Sequence, residues 1–464
     1  MEKVGILNVC YGGREGAIND TLFHSGEYEV ELFIVDKQLN PFNLQLAEKS
    51  GGRHIVDPEL SIETIVDFAR KYKEKIRFAL CPNEGPIING MRNVLEWDLG
   101  IPTICPTKEY ALEGSKVRQR LLLEEVMPEA NPQFRVFDPT DYKSKGKSLD
   151  DLFKDAEDWI KELGGVTECV IKPDCPGFGK GVGVGGEHFH TMEEAKEWMD
   201  LNKFIIEKKL DGEEVSFQAY CDGKRIIPLP DTRDYKRSHE DDIGLNTGGM
   251  GSWSDVSENL PFSTPADREK EIETAERILK YFTKEGRNSG LLGMPLYTAF
   301  MLTSEGPKIL EINSREGDPE IMCVLPRLKE DLVNIYSKIL DGNLSKIEVT
   351  KEAVVTTYVV PDVYPKKDDI VREVNLTGVY NLTKRYGDKI KVYPASIGVK
   401  NERPYALGSR SVAVVGIGDD IQSARDISLT GASCVDGVRL RYRQDIASRE
   451  HINKSIEHMR NLRS

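Results

Sequence analysis

Short apolar runs, each followed by a turn and then helical spacing, fill the first quarter of the chain. Val4-Gly-Ile-Leu-Asn-Val9 leads into Tyr11-Gly12-Gly13-Arg14-Glu15-Gly16-Ala17, the order of a strand buried on both faces, a glycine turn and a helix start. Further strands are predicted at Val30–Val35, Phe78–Cys81 and Thr103–Cys105, with helices over Ile62–Tyr72 and Ile87–Leu99. Strand and helix alternating in this way predict a doubly wound parallel sheet over residues 1–112, with ligands at the carboxyl ends of the strands. That places candidate contacts at Gly12–Glu15 and at Pro82-Asn83-Glu84-Gly85-Pro86.

The pattern then changes. A helix is predicted from Glu113-Gly-Ser-Lys116 to Val126, ended by Pro128 and Pro132, and Asp138–Lys147 is polar and turn-rich. A helix at Leu149–Leu163, a strand at Glu168–Lys172, a glycine loop, a helix at Met192–Leu201 and a strand at Phe204–Glu207 follow. Pro261–Arg287 has the spacing of one amphipathic helix. From about residue 350 the strands Val354–Val360 and Ser411–Gly416 and a helix at Ile421–Leu429 predict a small α+β unit, in which Gly416-Ile-Gly418 reads as a turn.

The chain has 464 residues and exceeds the roughly 250 at which one core usually divides, so three or four subdomains are expected. A net charge of −14 and a pI near 5.2 speak against a nucleic-acid or membrane-surface protein, and any bound phosphate must meet local cations. The eight cysteines form no Cys-x-x-Cys pair, as expected of buried thiols in a reducing compartment. No apolar run approaches about 18 residues, and the first residues lack a signal-peptide plan. The expected location is cytoplasmic, and the expected partners are small molecules rather than nucleic acid or membrane, acting on a monomer or small homo-oligomer.

Three stretches carry candidate chemistry. After the strand-like Pro307–Glu311 the polar residues alternate, so Glu311 and Asn313 share one face with Arg315 just beyond. Two hard oxygen donors beside a cation suit Mg²⁺ bound to nucleotide phosphates. In Ile171-Lys172-Pro-Asp174-Cys-Pro-Gly177-Phe-Gly179-Lys180-Gly181-Val-Gly183, a strand ending in lysine opens into a loop whose glycines let backbone N–H groups approach phosphate. It matches neither the Walker loop nor Gly-x-Gly-x-x-Gly, and predicts a flap over a nucleotide. Phe204-Ile-Ile-Glu207-Lys-Lys-Leu210-Asp-Gly-Glu213-Glu214 offers an extended segment to an adenine edge and a later carboxylate to ribose hydroxyls. His188-Phe-His190 has metal-ligand spacing but no third ligand nearby, and reads as surface strand.

Taken together, these stretches resemble the ATP-grasp ligases, and within them the glycinamide ribonucleotide synthetase family, also called phosphoribosylamine-glycine ligases. The resemblance rests on Gly12-Gly-Arg-Glu15, Leu112-Glu-Gly-Ser-Lys116, Ile171-Lys172, Gly179-Lys-Gly181, Leu210-Asp-Gly-Glu-Glu214, Asp234-Tyr-Lys-Arg237, Asn246-Thr-Gly-Gly-Met-Gly251, Glu311-Ile-Asn313, Arg315 and Gly317-Asp-Pro-Glu320. It implies an ATP-grasp domain at 113–345, with a mobile lid at about 135–205, between the N-terminal α/β domain and an α+β domain at 346–464. The implied activity is ATP-dependent joining of glycine to 5-phosphoribosylamine through glycyl phosphate, in purine biosynthesis. A related ligase with another amino acid or amine is the alternative.

The resemblance also implies roles. Lys116 and Lys172 would contact ATP, Gly177, Gly179 and Gly181 would lie in the flap, Glu207 and Leu210 would frame adenine, and Glu214 would hold ribose. Glu311 and Asn313 would bind Mg²⁺ or Mn²⁺. Arg315, Lys236 and Arg237 would stabilise the transferring phosphoryl group, and Asp234 would hold the glycine ammonium. Gly13, Arg14, Glu15, Glu84, Asn246, Gly248, Gly249 and Asp318 would line the acceptor side. Departures from the family pattern fall at Cys10-Tyr11, Gly16, Asn83, Tyr235, Glu316 and Asp362-Val-Tyr364-Pro365, most of them expected around the acceptor amine. Glu316 should repel a phosphate unless it is paired.

Overall fold

The computed structural model describes the whole chain except residues 176–180, 200–201, 285, 294–296 and 401–402. Its N-terminal strands Glu2–Cys10, Tyr28–Asp36, Arg53–Val56, Ile76–Leu80 and Thr103–Ile104 form one parallel sheet. In sheet order Glu2–Cys10 stands third, between Tyr28–Asp36 and Ile76–Leu80. The order reverses there, and the carboxyl ends of Glu2–Cys10 and Ile76–Leu80 open the crevice where ligands of such sheets bind. Helix Gly13–Phe23 starts at the first of these ends and helix Glu84–Asn89 just beyond the second. The predicted helix Ile87–Leu99 is two helices, because Gly90 adopts φ +87° between Glu84–Asn89 and Met91–Leu99.

Two antiparallel sheets follow. Phe134–Phe137, Phe204–Lys208, Cys169–Pro173 and Gly183–Val184 form one, covered by helix Leu149–Glu162 around Phe137, Leu152, Ile160, Ile171, Phe204 and Ile206. Glu213–Phe217, Tyr297–Thr303 and Gly306–Asn313 form the other, backed by helices Lys116–Val126 and Pro265–Thr283. The chain crosses from one sheet to the other at Lys209–Gly212. The polar segment Asp138–Lys147 contains a short helix, Pro139–Ser144, capped by Asp138.

The last large sheet joins distant segments: Arg233–Asp234, Gly251–Ser254, Ala353–Pro361, Val412–Gly418 and Ile390–Pro394 in order, with Leu440–Arg441 on one end of Ala353–Pro361. Strands from both sides of residue 345 therefore share one hydrogen-bonded layer. Gly416 and Gly418, expected in a turn, lie inside the buried strand Val412–Gly418. A side chain at Gly416 would lie 2.0 Å from the Ala424 carbonyl oxygen, so helix Ile421–Ser433 packs directly on the backbone. His188 and His190 are not in a strand; the His188 ring takes a hydrogen bond from the Val184 amide. Among the described residues no three His, Cys, Asp or Glu converge as metal ligands, and no helix is long and apolar enough to cross a membrane.

Candidate active site

The strand Gly306–Asn313 slips register against Tyr297–Thr303, leaving Leu310 as an extra residue. The Leu310 carbonyl accepts hydrogen bonds from Lys172 Nζ at 3.1 Å and Arg120 Nη2 at 2.8 Å. Both cations also hold Glu207, Lys172 Nζ at 2.7 Å from Oε2 and Arg120 Nε at 2.5 Å from Oε1. Burial alone would raise the Glu207 pKa, but Arg120 and Lys172 outweigh it and keep the carboxyl below its usual range. Burial dominates at Lys172, whose pKa is lowered despite Glu207. The Glu207 carboxylate is thus spent inside the protein, and the backbone of Glu207–Leu210 is what remains for a base edge.

On the outer side of the same strand, Asn313 Nδ2 lies 3.4 Å from Glu311 Oε1, so the alternation does bring the two together. Burial pushes the Glu311 pKa up, but Lys236, Lys116 and Lys172 hold it below the ordinary carboxylate value. One ionised carboxylate and one amide oxygen fit Mg²⁺, which takes its other positions from phosphates and water. Lys236 Nζ lies 2.8 Å from Asp234 Oδ2, while Asp234 Oδ1 is buried with no hydrogen-bond partner. Tyr297 and Ser216 hold Glu320 close by. Glu213 and Glu214 point to opposite faces of their strand. Glu213 binds Arg233, Ser455 and His458, the last two from the C-terminal helix Arg449–Leu462. Glu214 faces inward; burial raises its pKa, and Lys236 is the foremost charge opposing that rise.

Arg315 joins this centre to the N-terminal sheet. Its guanidinium lies 3.1 Å from Glu113 and 3.6 Å from Glu84, and over the Tyr297 ring at 5.9 Å. Burial pushes Glu113 up to about 7, against the opposing field of Arg315. Glu84, although buried, is held below its usual value by Arg315 and Arg14. Arg14 donates to Glu15 at 2.7 Å and to the Glu316 carbonyl at 2.8 Å; Glu15 also accepts from the Gly12 amide and from Asn83 Nδ2 at 3.0 Å. Lys116 Nζ donates to the Cys175 carbonyl at 2.7 Å, and the Ser115 hydroxyl to Asp174 at 2.8 Å, so the helix start holds the mouth of the glycine loop. Gly177 and Gly179 lie outside the described residues; Gly181 has φ +80°.

Residues 142–321 match the family described as phosphoribosylglycinamide synthetase, ATP-grasp (A) domain. The phosphoribosylamine–glycine ligase of Pyrococcus furiosus is 37% identical over 467 residues, covering 99% of this chain and 98% of that protein. That of Methanocella arvoryzae is 36% identical, with 99% of each chain covered. This chain belongs to the phosphoribosylamine–glycine ligase family. The crystal structure of the Thermotoga maritima ligase superposes with a TM-score of 0.71 at 25% identity, covering 96% of this chain and all of that one. The biotin carboxylase domain of Hydrogenobacter thermophilus 2-oxoglutarate carboxylase, in complex with MgADP, shares the fold at TM-score 0.66 and 14% identity, covering 98% and 93%.

Against the family pattern, the departures fall into two groups. Asn83 and Glu316 sit at the crevice, where Asn83 fastens Glu15 and the Glu316 carbonyl takes Arg14. The Glu316 carboxyl is buried and its pKa raised by that burial, with Arg14 and Arg315 near enough to oppose the rise. Tyr235 does not face the acceptor side as expected. Lys236 turns back to Asp234, while the Tyr235 ring is buried on the other side of the chain, stacked on His451 at 5.3 Å with its hydroxyl accepting from the Ala447 amide. Gly16 points at Phe42 and Tyr393, which a side chain there would meet at 3.7 and 3.9 Å.

The Arg237 side chain is bound to Glu187 and to the Gly244 carbonyl, and its backbone pairs with that of Asn246 across a β-bridge. Sequence reasoning missed Arg120, Glu113, Tyr358 and Arg410. Tyr358 donates to Asp318 Oδ1 at 2.7 Å, and Arg410 lies 3.0 Å from Asp318 Oδ2. Glu113 lies within the Leu112–Lys116 motif and Arg120 one helical turn beyond it, so both carried a local signal. Arg410 carried none.

Proposed function

We propose that this protein joins glycine to 5-phosphoribosylamine, consuming ATP and releasing glycinamide ribonucleotide, ADP and phosphate. The observation that carries the reading is the convergence of Glu311 and Asn313, the Lys236–Asp234 pair and Arg315 on one cleft. The relatives named above match this chain over nearly its whole length. In this reading a carboxylate oxygen of glycine attacks the γ-phosphorus of ATP, giving glycyl phosphate and ADP. The amine then attacks the acyl carbon, and phosphate leaves. A divalent cation, Mg²⁺ or Mn²⁺, held by Glu311 and Asn313 would neutralise phosphate charge during transfer.

The chain's own groups supply the rest. Asp234 Oδ1, buried and unpartnered, can accept the glycine ammonium, and Lys236, kept charged by Asp234, can face the γ-phosphate. Glu214 can take the ribose hydroxyls, and Lys116 and Lys172 the phosphates. Arg315, anchored by Glu113 and Glu84, stands between this centre and the Gly13–Glu15 edge that would receive the amine. Both the acyl phosphate and the amine are prone to hydrolysis, which favours chemistry enclosed between several domains.

A phosphate-release assay tests the reading. Turnover should require ATP, glycine and phosphoribosylamine, the last generated in place from ribose 5-phosphate and ammonia. Turnover that needs another amino acid or another amine in place of either substrate refutes the named activity.

A further inference from the structure

Arg410 lies just before the strand Val412–Gly418, far along the chain from every motif of the cleft. Its Nη1 reaches the carbonyl oxygens of Gly248 at 2.5 Å, Asp318 at 2.7 Å and Gly249 at 3.2 Å, and its Nη2 lies 3.0 Å from the Asp318 carboxylate. The guanidinium stacks on Tyr358 at 4.7 Å, and Tyr358 donates to the other Asp318 oxygen. The fit is close on each side. A side chain at Gly248 would meet the guanidinium at 3.3 Å, one at Gly249 would meet Asp234 and Pro319 at 2.6 Å, and one at Gly13 would meet the Tyr358 hydroxyl at 2.5 Å. The Gly12–Glu15 edge, the Gly248–Gly249 loop and the Asp318 turn therefore meet on one side chain and the ring beneath it.

We propose that Arg410 is a positioning residue for the amino-acid and amine side of the site. A planar fork can bind several oxygens in one plane, which the single ammonium of lysine cannot. By holding the Gly249 carbonyl and the Asp318 turn together, Arg410 sets the wall against Asp234; with Tyr358 it sets the height of the Gly12–Arg14 edge. The Lys172–Glu207 pair, on the side proposed for the nucleotide, lies outside this junction.

The test uses full-length Arg410→Met and Arg410→Lys proteins, with each substrate varied in turn and hydrogen exchange followed by mass spectrometry. Arg410→Met should raise KM for glycine and for phosphoribosylamine about tenfold or more and lower kcat, while KM for ATP stays within about twofold. Arg410→Lys should recover only part of the loss, and added methylguanidine should restore part of the Arg410→Met activity. Exchange should quicken in 12–15, 247–250 and 317–320 and hold in 171–173 and 204–208. Equal losses for all three substrates, or unchanged exchange in 247–250 and 317–320, overturn the proposal. Its kinetic half rests on the ligase reading. A wild-type protein that turns over no glycine refutes that reading, while the exchange pattern still decides the role of Arg410.

Discussion

Lys172 and Glu207 lie 2.7 Å apart, both withdrawn from water, with Arg120 on the far side of the carboxylate. The pair stands on adjacent strands, Cys169–Pro173 and Phe204–Lys208, and reaches across to Leu310 of the other sheet. One ion cluster thus ties together the two antiparallel sheets. Its geometry is costly to disturb, because removing one member leaves the others buried and charged.

Glu207→Gln should therefore destabilise the protein by about 3–5 kcal/mol, the usual cost of breaking a buried ion pair. The sign with pH follows from the depressed Glu207 pKa. Its contribution is present above the unfolded carboxylate value of about 4.3 and is lost as pH falls through the lower folded value. Urea denaturation of both proteins between pH 7 and pH 3 should show the gap closing on acidification. A gap that stays constant would mean the carboxylate is not held by the two cations.

Oxygen transfer tests the order of bond making. If the glycine carboxylate attacks the γ-phosphorus, that oxygen leaves with the phosphate when the amine displaces it. Glycine labelled with ¹⁸O in its carboxylate should give one labelled oxygen in inorganic phosphate, with ADP as the nucleotide product. Unlabelled phosphate, or AMP with pyrophosphate, excludes the acyl phosphate route.

The parts of the site legible in sequence are those built by local periodicity. Glu311 and Asn313 could be paired because a strand alternates, and Gly12–Glu15 could be placed because an apolar run followed by glycines reads as strand, turn and helix. Tyr235 packs apart from Asp234 and Lys236, but the strand there is only Arg233–Asp234, so no alternation runs through these three residues to reveal it. Gly416 and Gly418 looked like a turn because the helix that needs their bare backbone is invisible along the strand. Arg410 binds mostly backbone carbonyls, which any sequence supplies, so nothing near residue 410 marks it. The helix Arg449–Leu462 has amphipathic spacing, yet what it does, holding Glu213 through Ser455 and His458, depends on a partner far away in the chain.

Glu311→Gln and Asn313→Leu each should lower kcat about a hundredfold or more while leaving the fold intact. The first removes the charge that Lys236, Lys116 and Lys172 surround, and the second replaces an oxygen donor with an apolar branch. Raising the Mg²⁺ concentration should recover part of the Glu311→Gln activity and less of the Asn313→Leu activity. Near-normal turnover of either variant at ordinary Mg²⁺ would sink the assignment of this face.

Glu271 offers a test of stability separate from the site. It lies on helix Pro265–Thr283 with no solvent exposure, and neither carboxylate oxygen has a hydrogen-bond partner. Burial pushes its pKa well above the usual value, and the nearby Asp231, itself pushed up to about 7 by burial, adds to the rise. A carboxyl raised in the folded state keeps its proton where the unfolded chain has lost it. Its contribution is therefore fully present below the unfolded value of about 4.3 and is lost as pH climbs toward the folded one. Glu271→Gln replaces the group with a neutral side chain of the same shape, and this loss should disappear. The variant should match the wild type near pH 3.5, exceed it in urea midpoint at pH 8, and keep wild-type turnover, since Glu271 touches nothing in the cleft. A variant less stable than the wild type at pH 8 would show that Glu271 is charged and paired in the folded protein.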